Sequence, residues 1–269
     1  MTVLFRAGYD CARDGNLVIG LIETGGGGAT GTVTLTSRYM PDVDLTTIYQ
    51  VSRQGVAITY TLGYPSLAVI LKAALEAIGA ATYTVTLSTT TRKWTISASG
   101  GGVTKFDLTF NDAAKRYLGF SAGVGGALTY TGDYTAYFII DGTVGGVTSL
   151  VRPRELADDL AVDLLASDGN QEGLAQEGAV KTFALTIPAE PAARVWHASR
   201  VTADPWTWEL AFAHCRNIEP IHIVDSATGG FAYVGRLRAD SCAFDPQLLA
   251  DDYFAYADIR LEAHYLGTP

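Results

Sequence analysis

The chain is short of most things that chemistry or export would require. It has three cysteines, four histidines and two methionines in 269 residues. Cys11, Cys215 and Cys242 are too few and too scattered for a disulfide framework, and their odd number is the mark of folding in a reducing cytosol. Charged residues make up only 17%, and the formal net charge is -9 with no block of Lys or Arg. A protein that grips phosphates carries a basic stripe, so direct nucleic-acid binding is not expected. The same acidity argues against docking on an anionic membrane. Long apolar runs are missing too. The longest, from Ser66 to Ala81, is interrupted by Lys72 and Glu76, which excludes a bilayer span. The opening MTVLFRAGYD meets Arg6 and Asp10 before any apolar run and does not read as a signal peptide.

Catalytic patterns are equally scarce. There is no G-x-S-x-G and no H-E-x-x-H. His197, His214, His222 and His264 lack metal-ligand spacing, and the adjacent His214 and Cys215 diverge by about 100° on a helix. Asp14-Gly15-Asn16 and Asp168-Gly169-Asn170 are turn chemistry rather than calcium loops, because neither continues into alternating oxygen ligands with a closing Glu. Asp158-Asp159 and Asp251-Asp252 read as solvated faces. Residues 26–31 formally satisfy G-x-G-x-x-G, but Thr32-Val33-Thr34-Leu35-Thr36 continues as a period-2 strand where a nucleotide site needs a helix. Gly25 to Gly31 is therefore expected to be a hairpin or loop that binds no nucleotide. Trp94, Trp206 and Trp208 would suit a sugar platform but lie at periodic positions typical of a core. The expectation is a non-enzyme with no catalytic, cofactor-binding or metal residues and no cofactor.

What the chain does have is apolar content, 48%, and abundant Gly, Thr and Tyr, which favour strands and turns. The length allows one large domain or two ordinary ones. The clearest stretch runs from Tyr64 to Phe120. Leu67, Leu71, Ala74, Leu75 and Ile78 form one face of a helix. Pro65 would sit in its first turn and Gly79 would close it in a left-handed cap. Three alternating strands follow, on Tyr83/Val85/Leu87, Trp94/Ile96/Ala98 and Phe106/Leu108/Phe110. Trp94 is expected in the core under the helix. Asn111 or Asp112 would cap a short helix that Gly119 ends.

The remainder divides less sharply. Leu17 to Ile22 and Val56 to Tyr60 read as strands, 121–127 as loop, and Asp141-Gly142-Thr143 as a turn. Pro153 onward, with Leu156, Leu160 and Leu164 on one face, predicts a helix, and Ser167 to Gly178 a polar loop. Lys181 to Ile187 and Arg194 to Arg200 read as strands. Asp204-Pro205 starts a helix that Asn217 ends, and Pro220–Val224, Phe231–Arg238 and Tyr256–Tyr265 close the chain as strands. The fold class is α+β and β-rich. It places a helix-on-meander unit (64–120) within an N-terminal domain, 1–148, and a sheet with packed helices in a C-terminal domain, 149–269. The hinge would fall between Gly145 and Arg152.

The order of a Gly-terminated helix, TYTVTLSTTTRKWTISASG, a strand and NDAAKRYLGFSAG resembles a module of tailed-bacteriophage virion structural proteins, often tail and baseplate components. The match covers about sixty residues. The run from the Trp-bearing helix through EPIHIVD and YVGRLRAD to DIRLEAHYL is similar, more weakly, to the C-terminal regions of phage tail proteins. The resemblance carries over no active-site residues. It implies a structural subunit of a tail, tail tip or baseplate, assembled in the host cytoplasm into the virion. Such a subunit works as a homo-oligomeric ring that joins other virion proteins, without membrane insertion. The alternative is a glycan-binding adhesion module at a tail tip or cell surface.

Overall fold

A computed structural model describes residues 2–51, 57–137, 139–143, 154–155, 161–165, 171–175, 181–196, 207–215, 219–225, 233–238, 243–249 and 253–269. The expected hinge near Gly145, the Asp204-Pro205 helix start, the Asn217 stop, Asp168–Asn170, His197, Trp206 and Cys242 lie outside these residues.

The molecule is β-rich and antiparallel. Its largest sheet has eight strands, in the order Ile139–Thr143, Thr2–Ala7, Pro220–Asp225, Tyr233–Leu237, Tyr253–Gly267, Lys181–Pro191 and Arg154–Glu155, with Ala243–Leu249 also on Tyr253–Gly267. Thr2–Ala7 lies between Ile139–Thr143 and Pro220–Asp225, so one sheet takes strands from both ends of the chain, and a cut at 148 would pass through it. A four-stranded sheet runs Val124–Ala127, Val103–Phe110, Leu17–Gly25, Thr30–Leu35, and a three-stranded one runs Thr129–Thr131, Trp94–Ser99, Thr82–Leu87.

The stretch 64–120 keeps its elements but not its expected sheet. A helix spans Leu67–Glu76 and buries Leu67, Leu71 and Leu75, with Ala74 and Ile78 packed against the same core. Thr82–Leu87 and Trp94–Ser99 form the expected hairpin, with Tyr83, Val85, Trp94, Ile96 and Ala98 inward. Trp94 is fully buried in the core that holds Leu71 and Leu75. The third strand, Val103–Phe110, instead pairs with Leu17–Gly25 and Val124–Ala127, so the three strands are not one meander.

Two caps also differ. Pro65 precedes the N-cap Ser66 rather than entering the first turn. Gly79 is not left-handed, and the helix closes at Ala77. Gly79 is needed for space, since a Cβ there would overlap Glu23 Oε1. That carboxylate is buried and accepts from Ala80 N at 2.7 Å, Ala81 N at 3.1 Å and Tyr83 Oη at 2.7 Å. Burial pushes the Glu23 carboxyl up, but these hydrogen bonds outweigh it and hold it below the usual carboxylate range. One side chain thus bolts the helix exit to the Leu17–Gly25 strand.

The second short helix, Asp112–Leu118, is capped as expected. Asn111 accepts from Ala114 N at 2.9 Å, and Gly119 closes it at φ 76°. Residues 124–127, read as loop, form a strand whose Gly125 has Asp107 Oδ1 where a Cβ would fall, 2.5 Å away. Asp141-Gly142-Thr143, read as a turn, is strand. A Cβ on Gly142 would meet Ile187 at 2.8 Å and Trp208 at 3.0 Å, so this glycine admits a close neighbour rather than a bend.

Within the helix expected from Pro153, the described residues Arg154–Glu155 and Ala161–Leu165 are strands, while Leu156 and Leu160 lie outside the described residues. The expected polar loop contains Gln171–Ala175, which pairs with Ala161–Leu165. Arg194 and Val195, the start of the expected strand Arg194–Arg200, belong to a helical turn, Ala192–Val195, and residues 197–200 lie outside the described residues. The Trp-bearing helix spans Trp208–Cys215, with Thr207 Oγ1 accepting from Leu210 N at 3.3 Å. It buries Trp208, Ala211 and Cys215, while Ala213 is exposed. Ala243–Leu249 is a strand that periodicity missed.

Candidate functional site

The sites that sequence reasoning set aside are mostly structural. Gly25–Gly31 turns between two paired strands, with Gly25 and Gly26 at positive φ, and no helix N-terminus follows. Trp94 and Trp208 are fully buried and present no platform. Cys11 and Cys215 are buried free thiols, and burial raises Cys11 to about 11. His222 is buried and held near 3 by burial and by Arg6, which donates to its Nδ1 at 3.1 Å. Arg6 in turn pairs with Asp42 at 2.7 Å. His264 sits on Tyr253–Gly267 opposite Thr182 and Arg236. Among the described residues no group of three His, Cys, Asp or Glu is placed to hold a metal, and no helix is long and apolar enough to cross a membrane.

Among the described residues a cleft with a chemical character opens where three helices meet; of its parts only Asp14 and His214 were weighed in sequence, as metal ligands, and set aside. The first helix is the single turn Cys11–Asp14, capped by Asp10, which accepts from Ala12 N at 2.9 Å and is paired with Arg38 at 2.9 Å. Gly15 ends it at φ 100°. Asp112–Leu118 and Trp208–Cys215 supply the other walls. The cleft holds about 410 Å³, within the range of small-molecule sites.

Arg13 is locked. It reaches Asp14 through Nε at 3.1 Å and Nη2 at 3.0 Å, and Glu219 through Nη1 at 3.0 Å. His214 Nε2 donates to the Gly8 carbonyl at 2.9 Å, which leaves Nδ1 to accept from Arg13 Nη2 at 2.9 Å. This is the neutral tautomer, and burial, helped by Arg13, holds the His214 pKa below its ordinary value. Beneath them Glu219 is fully buried and accepts from Tyr64 Oη at 2.7 Å. Burial raises the Glu219 carboxyl against the opposing pull of Tyr64 and Arg13, and Asp10 and Asp14 add to the rise. Tyr9 donates to the Gly15 carbonyl at 2.6 Å, with its ring 4.4 Å from that of Tyr117.

Arg116 is different. Its guanidinium lies 5.8 Å over the Tyr137 ring, it is exposed, and it makes no ion pair among the described residues. Leu210, Ala113 and Ala213 complete an apolar flank. Chemically the cleft can hold a negative group and accept hydrogen bonds from hydroxyls. It has no nucleophile paired with a base, since His214 is committed on both nitrogens. Arg13, Arg116, Tyr137 and His214 are far apart in sequence, and no spacing rule joins them. No protein-family model, curated protein or solved structure matches this chain.

Proposed function

We propose that this protein is a structural subunit of a phage virion, of the tail, tail tip or baseplate, that acts by assembling with copies of itself and joining neighbouring virion proteins. The reading starts from the resemblance of residues 64–120. One observation carries it further. Thr30–Leu35 is the outer strand of the four-stranded sheet, and no described strand pairs with its other side. Its sequence, TGTVTL, has no charge and no proline, and Thr30, Thr32 and Thr34 are exposed. Soluble proteins normally guard such edges with Lys, Pro or a bulge, because an open ladder recruits another strand. An unguarded edge fits a protein whose edge is covered in its working state by a second chain.

The helix Leu67–Glu76 with its hairpin serves in this reading as the rigid body behind that edge, and the Trp208–Cys215 helix supports the larger sheet. Ring closure needs a head-to-tail contact, burying on the order of 2,000 Å² or more if permanent. Negative-stain imaging of the purified protein tests it. Closed rings of uniform size support the reading, and single particles of monomer size at every concentration refute it. A second reading, a glycan-binding module, draws on the Arg116 cleft rather than on the buried tryptophans.

A further inference from the structure

We propose that the cleft between the Asp112–Leu118 and Trp208–Cys215 helices binds a small hydroxylated carboxylate, of the size and chemistry of a sugar acid. The ligand class follows from what the walls offer. Arg116 is the one cleft cation without a carboxylate partner among the described residues, and a guanidinium fork matches a carboxylate in two parallel hydrogen bonds. Its contact with the Tyr137 ring favours this position of the guanidinium before any ligand arrives.

Arg13, by contrast, is matched by Asp14 and Glu219, so the cleft has room for one added negative charge and not for two. A dianion such as phosphate would also face the Asp14 carboxylate on the same wall. That carboxylate retains a lone pair beyond those given to Arg13 and to Asp10 N, and suits a hydroxyl donor. Leu210 and Ala213 provide the flat apolar contact that the C–H face of a sugar ring prefers. A volume of about 410 Å³ admits one or two such rings. Two other carboxylates are already occupied. Glu23 is saturated by its own neighbours, and Asp42 is held by Arg6.

The inference deepens the glycan-binding reading and needs no second copy of the chain, so it stands or falls apart from assembly. The test is calorimetric or NMR titration of the full chain with glucuronate, glucose and inorganic phosphate as separate probes. With about 13 non-hydrogen atoms, glucuronate should bind saturably in the millimolar range. Glucose and phosphate should each bind at least ~10-fold more weakly, as expected for loss of a charge-assisted pair or addition of a repelled charge. Arg116→Gln should lose ~10-fold or more for glucuronate with an unchanged melting temperature. Ala213→Trp, at an exposed helix position, should block the cleft and abolish binding. Absence of saturation up to ~50 mM, well above the affinity that ligand size permits, overturns the proposal. So does equal affinity for glucose or phosphate, or full affinity in folded Arg116→Gln or Ala213→Trp.

Discussion

Two buried glutamates hold the molecule together, and they do so in opposite electrostatic senses. Glu23 takes two backbone N–H groups and a tyrosine hydroxyl, with no cation involved. Glu219 takes one tyrosine hydroxyl and one arginine, with Asp10 and Asp14 near enough to repel it. The first is held below the usual carboxylate range and the second above it. Burial is common to both, so the donors decide: dedicated backbone dipoles offset desolvation, whereas a shared cation does not. The Glu23 region is a finished joint. The Glu219 region lies behind Arg13, beneath a cleft whose charges are still divided among several partners.

The largest expected effect belongs to the core behind the finished joint. Leu71→Ala removes a fully buried side chain and should cost about 2–5 kcal/mol. Chemical denaturation with an unchanged midpoint would contradict its placement. Glu23→Gln comes next, at about 2–4 kcal/mol, because a neutral amide cannot accept from three converging donors and brings two hydrogens into a donor-filled space. Glu219→Gln should cost only about 1 kcal/mol, since burial already favours a neutral group there. If Glu219→Gln proves the more damaging of the two, the contrast fails.

pH sharpens the same comparison. Glu23 is lowered in the folded state, so its contribution is present above the unfolded carboxyl pKa and is lost as pH falls through the folded one. Glu219 is raised, so the folded state binds its proton more readily than the unfolded state. Its effect on stability turns unfavourable as pH rises through the folded value. Thermal melts from pH 3 to pH 8, in steps of about one unit, should therefore show the advantage of wild type over Glu23→Gln growing with pH. The advantage over Glu219→Gln should shrink. Parallel curves would contradict the assignment. The smallest effect is on the open side of the cleft, where Arg116→Gln should change stability by less than about 0.5 kcal/mol, because the residue is exposed and unpaired with any described carboxylate.

The same two regions differ in how far they could be read from sequence. Around Glu23 the elements are local and periodic. The Leu67/Leu71/Leu75 face and the Tyr83–Val85 and Trp94–Ile96–Ala98 alternations were legible and formed. Pairing was not. Val103–Phe110 joins Leu17–Gly25 across some eighty residues, and a hydrophobic period of 2 states which face is buried without naming the neighbour. Away from Glu23, in the second half of the chain and at its join with the first, even the elements misled. Leu156, Leu160 and Leu164 have helical spacing, yet Ala161–Leu165 is strand paired with Gln171–Ala175. Gly142 looked like a turn because the sequence hides Ile187 and Trp208 standing over it. The cleft needs Arg13, Arg116, Tyr137 and His214 to meet, and that meeting depends on Thr2–Ala7 pairing with Pro220–Asp225. No local signal encodes such a contact.

The central claim is that an unguarded edge makes this chain a self-assembling subunit. It is tested most directly by light scattering coupled to size exclusion, at several concentrations and at low and high salt. Wild type should run as one discrete oligomer that survives high salt, since an edge pairing backed by apolar contact is little screened. Thr32→Lys/Thr34→Lys, which places charges on the open strand, should run as folded monomer. A wild type that is monomeric throughout, or a doubly substituted protein with the wild-type mass, would contradict the account.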